Sequence, residues 1–209
     1  VAIFGNFINR VSVLTQKYYE GSVPERKNLT QEDEKTLDKM RAFPTIIGNS
    51  IERYRFREAS QELMNLARLG NKYLADQEPW KLIKVDPERV KTILNVSLQI
   101  SATLATVAEP FLPFSAKKLR GILNINNPMD WNTIETSQDI LPAGHIIGSQ
   151  ELLFSKIDDS NIQAQLDKLI KSDDYVKKPP FFGKPFKFRF PDAPRLSPEV
   201  RLTVFFYDI

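Results

Sequence analysis

The feature that most constrains this chain is the spacing of its apolar residues, which recur at helical intervals from Ala2 to Ile170 in stretches closed by proline or glycine. Phe4, Ile8, Val11, Thr15 and Tyr18 predict a largely buried first helix over 2–20, ended by Gly21 and Pro24. Asn6, Arg10 and Lys17 share one stripe of it, because residues about four apart lie one above the other. Thr30 and Asp33 form an N-cap signature with an acidic first turn, so a second helix starts there; Pro44 is expected to bend or interrupt it. A third helix is expected from about Ile51, its inward face Leu63, Leu66, Ala67, Gly70 and Leu74, with Gly70 admitting close packing. Glu78 precedes Pro79 and so resists helical geometry, which ends that helix. Asp86 then caps a helix with Pro87 at its first position, running to about Ala108 through Val90, Ile93, Leu94, Leu98, Ser101, Leu104 and Ala105.

Pro110 and Pro113 stop that helix, and a short one is expected over Ser115–Leu123. Residues 124–159 read as irregular, and Ser160 as the cap of a last helix to Ile170. The expected fold is therefore all-α, an antiparallel helix bundle over residues 1–171. Residues 172–209 differ in kind, holding 7 of the 14 phenylalanines and 6 of the 14 prolines without helical period. Phe186, Phe188 and Phe190 alternate with Lys187 and Arg189, which predicts a short strand, and Leu202–Tyr207 could form another. The extension is thus irregular or β-containing.

Function classes narrow quickly. There is no cysteine, hence no disulfide, thiolate nucleophile or Cys-ligated zinc. No apolar run approaches the roughly 20 residues of a membrane span, so no membrane partner is expected. The opening valine stands inside what reads as a helix, so the N-terminus is expected to be a cut in a longer protein. Residues 1–170 carry 21 basic and 21 acidic side chains, and the net charge of +3 resides in the remainder. A neutral body cannot hold a nucleic acid by a broad field, so any such contact there needs a local cluster of donors and rings.

Catalytic chemistry has little to work with. His145 is the one histidine, set in a Pro/Gly loop that favours a structural hydrogen bond over catalysis. Asp158 and Asp159 could be paired carboxylates, but their place before a helix start explains them better. Neither a phosphate-cradling glycine loop nor a metal-ligand spacing occurs. No catalytic residue and no metal ligand is therefore assigned. One constellation does carry chemistry: Asn6 and Arg10 on one helix face, and Trp80 beside Pro79 at the end of another helix. Amide and guanidinium groups suit the edge of an unpaired base, and an indole offers it a stacking face. The blander alternative, common for such residues, puts Arg10 on a helix-end carbonyl and Trp80 in the core.

The segments GNFINRV (Gly5–Val11), KYYEG (Lys17–Gly21), YRFREA (Tyr54–Ala59), GNKYLADQEPWKL (Gly70–Leu82), EPFLPFSAKKL (Glu109–Leu119), LPAGHIIG (Leu141–Gly148) and LFSKIDD (Leu153–Asp159) resemble, in order and spacing, the anticodon-binding domain of methionyl-tRNA synthetases. The resemblance implies the helix bundle of a class I synthetase. Its catalytic domain, absent from this chain, would use ATP and magnesium to join methionine to its tRNA in the cytoplasm. Catalysis is not expected of this chain alone, and no cofactor is assigned to it. Its implied partners are methionine tRNA, with the CAU anticodon, and that catalytic domain.

By the same resemblance, Asn6, Arg10, Pro79 and Trp80 match the family's anticodon-reading positions. Trp80 would stack on the first anticodon base, a cytosine. Arg10 would donate to its O2 and N3, and Asn6 would fix a neighbour. Lys156 falls where a basic residue would touch the tRNA backbone, while Ala2 departs from members with a polar residue there. The extension from Ser172 does not match. Two alternatives remain: the corresponding domain of a class I synthetase for isoleucine, valine or leucine, against which the Asn6, Arg10 and Pro79-Trp80 combination argues, and a non-enzymatic helical interaction module.

Overall fold

The computed structural model describes residues 2–126, 129–154 and 157–176. Lys156 and the two expected strands, Phe186–Phe190 and Leu202–Tyr207, lie outside them. The chain divides into two compact units, 1–156 and 157–209. The first holds α1 (Ala2–Tyr19), α2 (Gln31–Glu52), α3 (Phe56–Gln77), α4 (Pro79–Leu82), α5 (Pro87–Val107), α6 (Pro113–Ile122) and α7 (Trp131–Thr136); the second holds α8 (Asp159–Val176). Among the described residues there is no strand, only one isolated bridge between Ser22 and Ile146.

Helix α5 is the axis of the first unit. From Thr92 to Val107 every residue is buried, so it presents no polar face at all. By length and composition it could cross a membrane, contrary to the expectation that no run comes close, but 94% of its apolar stretch is buried in the bundle. Its polar residues are satisfied internally. Ser97, Ser101, Thr103 and Thr106 donate to the carbonyls four residues back, and Asn95 donates to the Pro24 carbonyl. Gln99 donates to the Leu141 carbonyl and accepts from the amides of Ile140 and Leu141. A buried amide with both ends paired costs little and holds a loop that lacks secondary structure of its own.

Helix α3 packs on α1, α2 and α5. Gly70 is the close point: a β-carbon there would lie 2.5 Å from the ring of Phe7, itself fully buried. Helix α2 begins at a capping box in which Thr30 and Asp33 exchange hydrogen bonds. Asp33 does more than favour a helix dipole. It is fully buried and also accepts from Tyr73 Oη at 2.6 Å and from both terminal nitrogens of Arg89. Burial alone would raise its carboxyl, but the bonds from Arg89, Tyr73 and Thr30 outweigh that and hold it at about 2. Burial, then the bond to Asp33, pushes the Tyr73 hydroxyl up. The hydrogen bond to Asp33 likewise raises Arg89. One carboxylate thus ties α2, α3 and α5 together.

Five local expectations need correction. Pro44 does not interrupt α2, which continues to Glu52; the proline is buried beside Met40 and Ile47 in that helix's inward face, and tertiary packing offsets the lost bond. The third helix starts at Phe56, not Ile51, after a turn in which Tyr54 adopts φ 59°. The stretch expected to be irregular contains α7, capped by Asp130 and anchored by the buried Ile134. The last helix starts one residue before Ser160, its first turn closing on the Asp158 carbonyl. It also runs six residues past Ile170, into the segment expected to lack helix.

The loop 141–148 is a staple. Gly144 and Ile147 donate to the carbonyls of Val23 and Gly21, Val23 donates to the His145 carbonyl, and Gly148 donates to Ile122 at the end of α6. His145 Nε2 lies 2.7 Å from the Leu123 carbonyl; a carbonyl can only accept, so this nitrogen carries the proton. His145 therefore has the structural role expected of it.

Candidate nucleic-acid interface

Helix α1 buries Phe4, Phe7, Ile8 and Val11 and leaves Asn6 and Arg10, one turn apart, exposed. Trp80 reaches the same place by a different route. Proline disfavours right-handed helical geometry in the residue before it, and Glu78 takes the left-handed conformation, φ 43° and ψ 53°, while its amide still closes α3 on the Leu74 carbonyl. Pro79 then opens the short α4 from a buried position, and the amides of Lys81 and Leu82 bond back to the Glu78 carbonyl. Helix α4 rests on α5. The result is a rigid shelf that holds an indole at the surface.

Trp80 is 38% exposed, too open for a core residue. The guanidinium carbon of Arg10 sits 5.5 Å from the centroid of its ring, a cation–π pair. Among the described residues Arg10 makes no hydrogen bond to a helix-end carbonyl. The blander alternative for both residues is therefore set aside: the structure brings Arg10 and Trp80 together in the open, with Asn6 on the adjoining turn and Pro79 beneath as anchor.

Sequence reasoning missed two neighbours. A shallow cavity of ≈ 370 Å³ beside Asn6 is lined by Ile3, Asn6, Arg68 and Asn71. The Asn71 amide nitrogen donates to the carbonyls of Ile3 and Ala67, at 2.6 and 3.1 Å, fixing α1 on α3. That orientation leaves its side-chain carbonyl as an acceptor. Arg68 donates to Asn65 at 2.7 Å. Asn71 stands within the GNKY segment already singled out, but its use at a surface cavity depends on α1 crossing α3. The site can thus offer a stacking face, two guanidinium groups, an amide of each polarity and no nucleophile. Among the described residues no cluster of histidine, aspartate or glutamate suits a metal ion.

Residues 23–172 match the family described as the anticodon binding domain of methionyl tRNA ligase. The chain belongs to that family. It is 59% identical over 168 residues to a methionine–tRNA ligase of Flavobacterium psychrophilum, covering 80% of this chain and 24% of that protein. To a methionine–tRNA ligase of Bacteroides fragilis it is 49% identical over 187 residues, covering 90% of this chain and 27% of the relative. The chain thus spans about a quarter of the length of the curated relatives it matches. Its fold resembles that of the apo methionyl-tRNA synthetase of Mycobacterium tuberculosis, with a TM-score of 0.70 and 20% identity over 76% of this chain and 32% of that one. The anticodon-binding family has an all-α bundle here, in agreement with the fold expected from apolar spacing.

Proposed function

We propose that this chain reads the CAU anticodon of methionine tRNA on behalf of a cytoplasmic methionyl-tRNA synthetase. Aminoacylation, with its ATP and magnesium, would belong to the catalytic part of that enzyme. The observation that carries the reading is the exposed Arg10–Trp80 pair with Asn6 one turn away. An incoming base can take the free face of the indole, or displace the guanidinium from the ring. In either case Arg10 is within reach of the base edge, where a fork of donors suits the O2 and N3 acceptors of cytosine. Asn6, with one amide donor pair and one acceptor, suits a neighbouring base or sugar. Lys156 would add a backbone contact.

The test is binding of the methionine anticodon stem-loop and of versions changed at the first anticodon base. Arg10→Gln is expected to cut the preference for cytosine by about 1–3 kcal/mol, the worth of a good side-chain-to-base pair. Equal discrimination by both proteins would remove Arg10 from this role. Failure of the wild-type chain to prefer the CAU loop over any changed loop would remove the anticodon reading itself. Lys156→Ala, by contrast, should weaken all these RNAs alike and reduce the salt dependence.

A further inference from the structure

The turn between α2 and α3 carries the sequence Arg53-Tyr54-Arg55-Phe56-Arg57, and none of it is used by the anticodon site. All five residues are exposed, Tyr54 at 82% and Phe56 at 56%. The two rings meet edge to face, centroids 6.3 Å apart at 82°. Three arginines alternate with them along the chain. The guanidinium of Arg55 approaches Glu58 at 3.6 Å, a carboxylate that also accepts from Ser50. The Arg53 and Arg57 side chains have no ion pair or hydrogen bond among the described residues.

The backbone of this turn is fixed. The Arg55 amide bonds to the Ser50 carbonyl and the Tyr54 amide to Ile51, the double closure of a helix C-terminus in which the residue at C′ must be left-handed. Glycine is the usual occupant of that position, yet here it is tyrosine, at φ 59°. A bulky ring at a left-handed position costs free energy, and this one, 82% exposed, gains an edge contact with Phe56 but no place in the core. Such a choice at a rigid, exposed, cationic turn points to a ligand outside the chain.

We propose that the α2–α3 turn is a second RNA contact, binding unpaired nucleotides in the body of the same tRNA whose anticodon lies at Trp80. Rings interleaved with guanidinium groups supply one π-face per base and one fork per phosphate, the pairing that single-stranded RNA needs. A protein partner would favour a continuous apolar centre, whereas each ring here has an arginine on either side of it in the sequence. Helix α3, of 22 residues, separates the turn from the Trp80 shelf by roughly 30 Å at 1.5 Å per residue. One RNA must therefore extend well beyond its anticodon loop to touch both. The proposal rests on the tRNA reading above.

The experiment compares a full-length methionine tRNA transcript with its isolated anticodon stem-loop, each titrated against the wild-type chain, Arg53→Gln/Arg57→Gln and Tyr54→Asn/Phe56→Ser. Asparagine tolerates the left-handed turn, so the second variant removes the rings and keeps the backbone. Each variant should bind the full tRNA roughly tenfold more weakly, the scale of one lost stacked base, and bind the stem-loop as wild type does. The arginine variant should also lower the salt slope for the full tRNA by between about one and two. Unchanged affinity of both variants for the full tRNA, or wild type binding the tRNA no tighter than the stem-loop, would overturn the proposal while leaving the anticodon reading in place. Binding of neither RNA would overturn both. If the substitutions leave RNA binding intact and instead lower the melting temperature of the full-length synthetase, the turn is a protein contact and the RNA proposal falls.

Discussion

Replacing Asp33 by alanine is expected to cost the folded chain about 3–5 kcal/mol, because Arg89 and the Tyr73 hydroxyl would be left at a buried site without their common acceptor. The capping box of α2 would go with it, since the Thr30 amide bonds to the same carboxylate. Urea unfolding reads this directly. Asp33→Asn keeps the shape and one acceptor, and should lose less. The same carboxylate makes a pH prediction whose sign is fixed. Its folded value of about 2 lies below the ordinary 3.8, so the unfolded chain binds the proton more tightly and acid favours unfolding. The contribution is about 2 kcal/mol. It is complete above about pH 5 and is lost as pH falls through 4 towards 2. Other carboxylates titrate in the same window, so the quantity to compare is the difference between wild type and Asp33→Asn. A difference that stays constant from pH 6 to about pH 3 would show that Asp33 does not hold the charge assigned to it.

Trp80→Ala should weaken binding of the methionine anticodon stem-loop by about 1–3 kcal/mol, five-fold to more than a hundred-fold, through loss of a stacking face. Stability should fall by less than the roughly 3–5 kcal/mol of a fully buried tryptophan, because the indole is 38% exposed and Arg10 sits over its ring in the open. Trp80→Phe should restore much of the binding, since a smaller ring still stacks. Two measurements decide: RNA affinity by fluorescence anisotropy, and the unfolding midpoint. A large drop in the midpoint with unchanged affinity would make Trp80 a packing residue and leave Arg10 and Asn6 without their platform.

Much of this was legible before any coordinates. The inward residues of α1, α3 and α5 were read from their spacing, and the Thr30–Asp33 and Asp86 caps from residue types whose side chains bond the first amides of a helix. Asn6 and Arg10 share a face by helical geometry alone. These are local matters, settled within four residues along the chain. Trp80 was ambiguous, since a tryptophan after proline is equally at home in a core or on a shelf; its exposure depends on how α4 lies on α5.

What the sequence by itself determined is therefore the six longer helices, most of their ends, the side of each bundle helix that turns inward, and the residue types available to meet an RNA. What only the tertiary structure decided is which distant groups share a site. The Asp33–Tyr73–Arg89 cluster joins residues up to 56 apart in sequence. The Gln99 clasp on the 140–141 loop, the Asn71 bond to Ile3 and the Arg10–Trp80 stack likewise join separate parts of the chain. Pro44 inside α2 belongs here too: helix propensity argues against it, and only burial between helices makes it tolerable. The physical reason is common to all of them. Hydrogen bonds and apolar spacing within a turn of helix are fixed by backbone geometry, whereas contacts between helices depend on crossing points set by bulk and gaps, such as Phe7 against Gly70, which no single stretch of sequence contains.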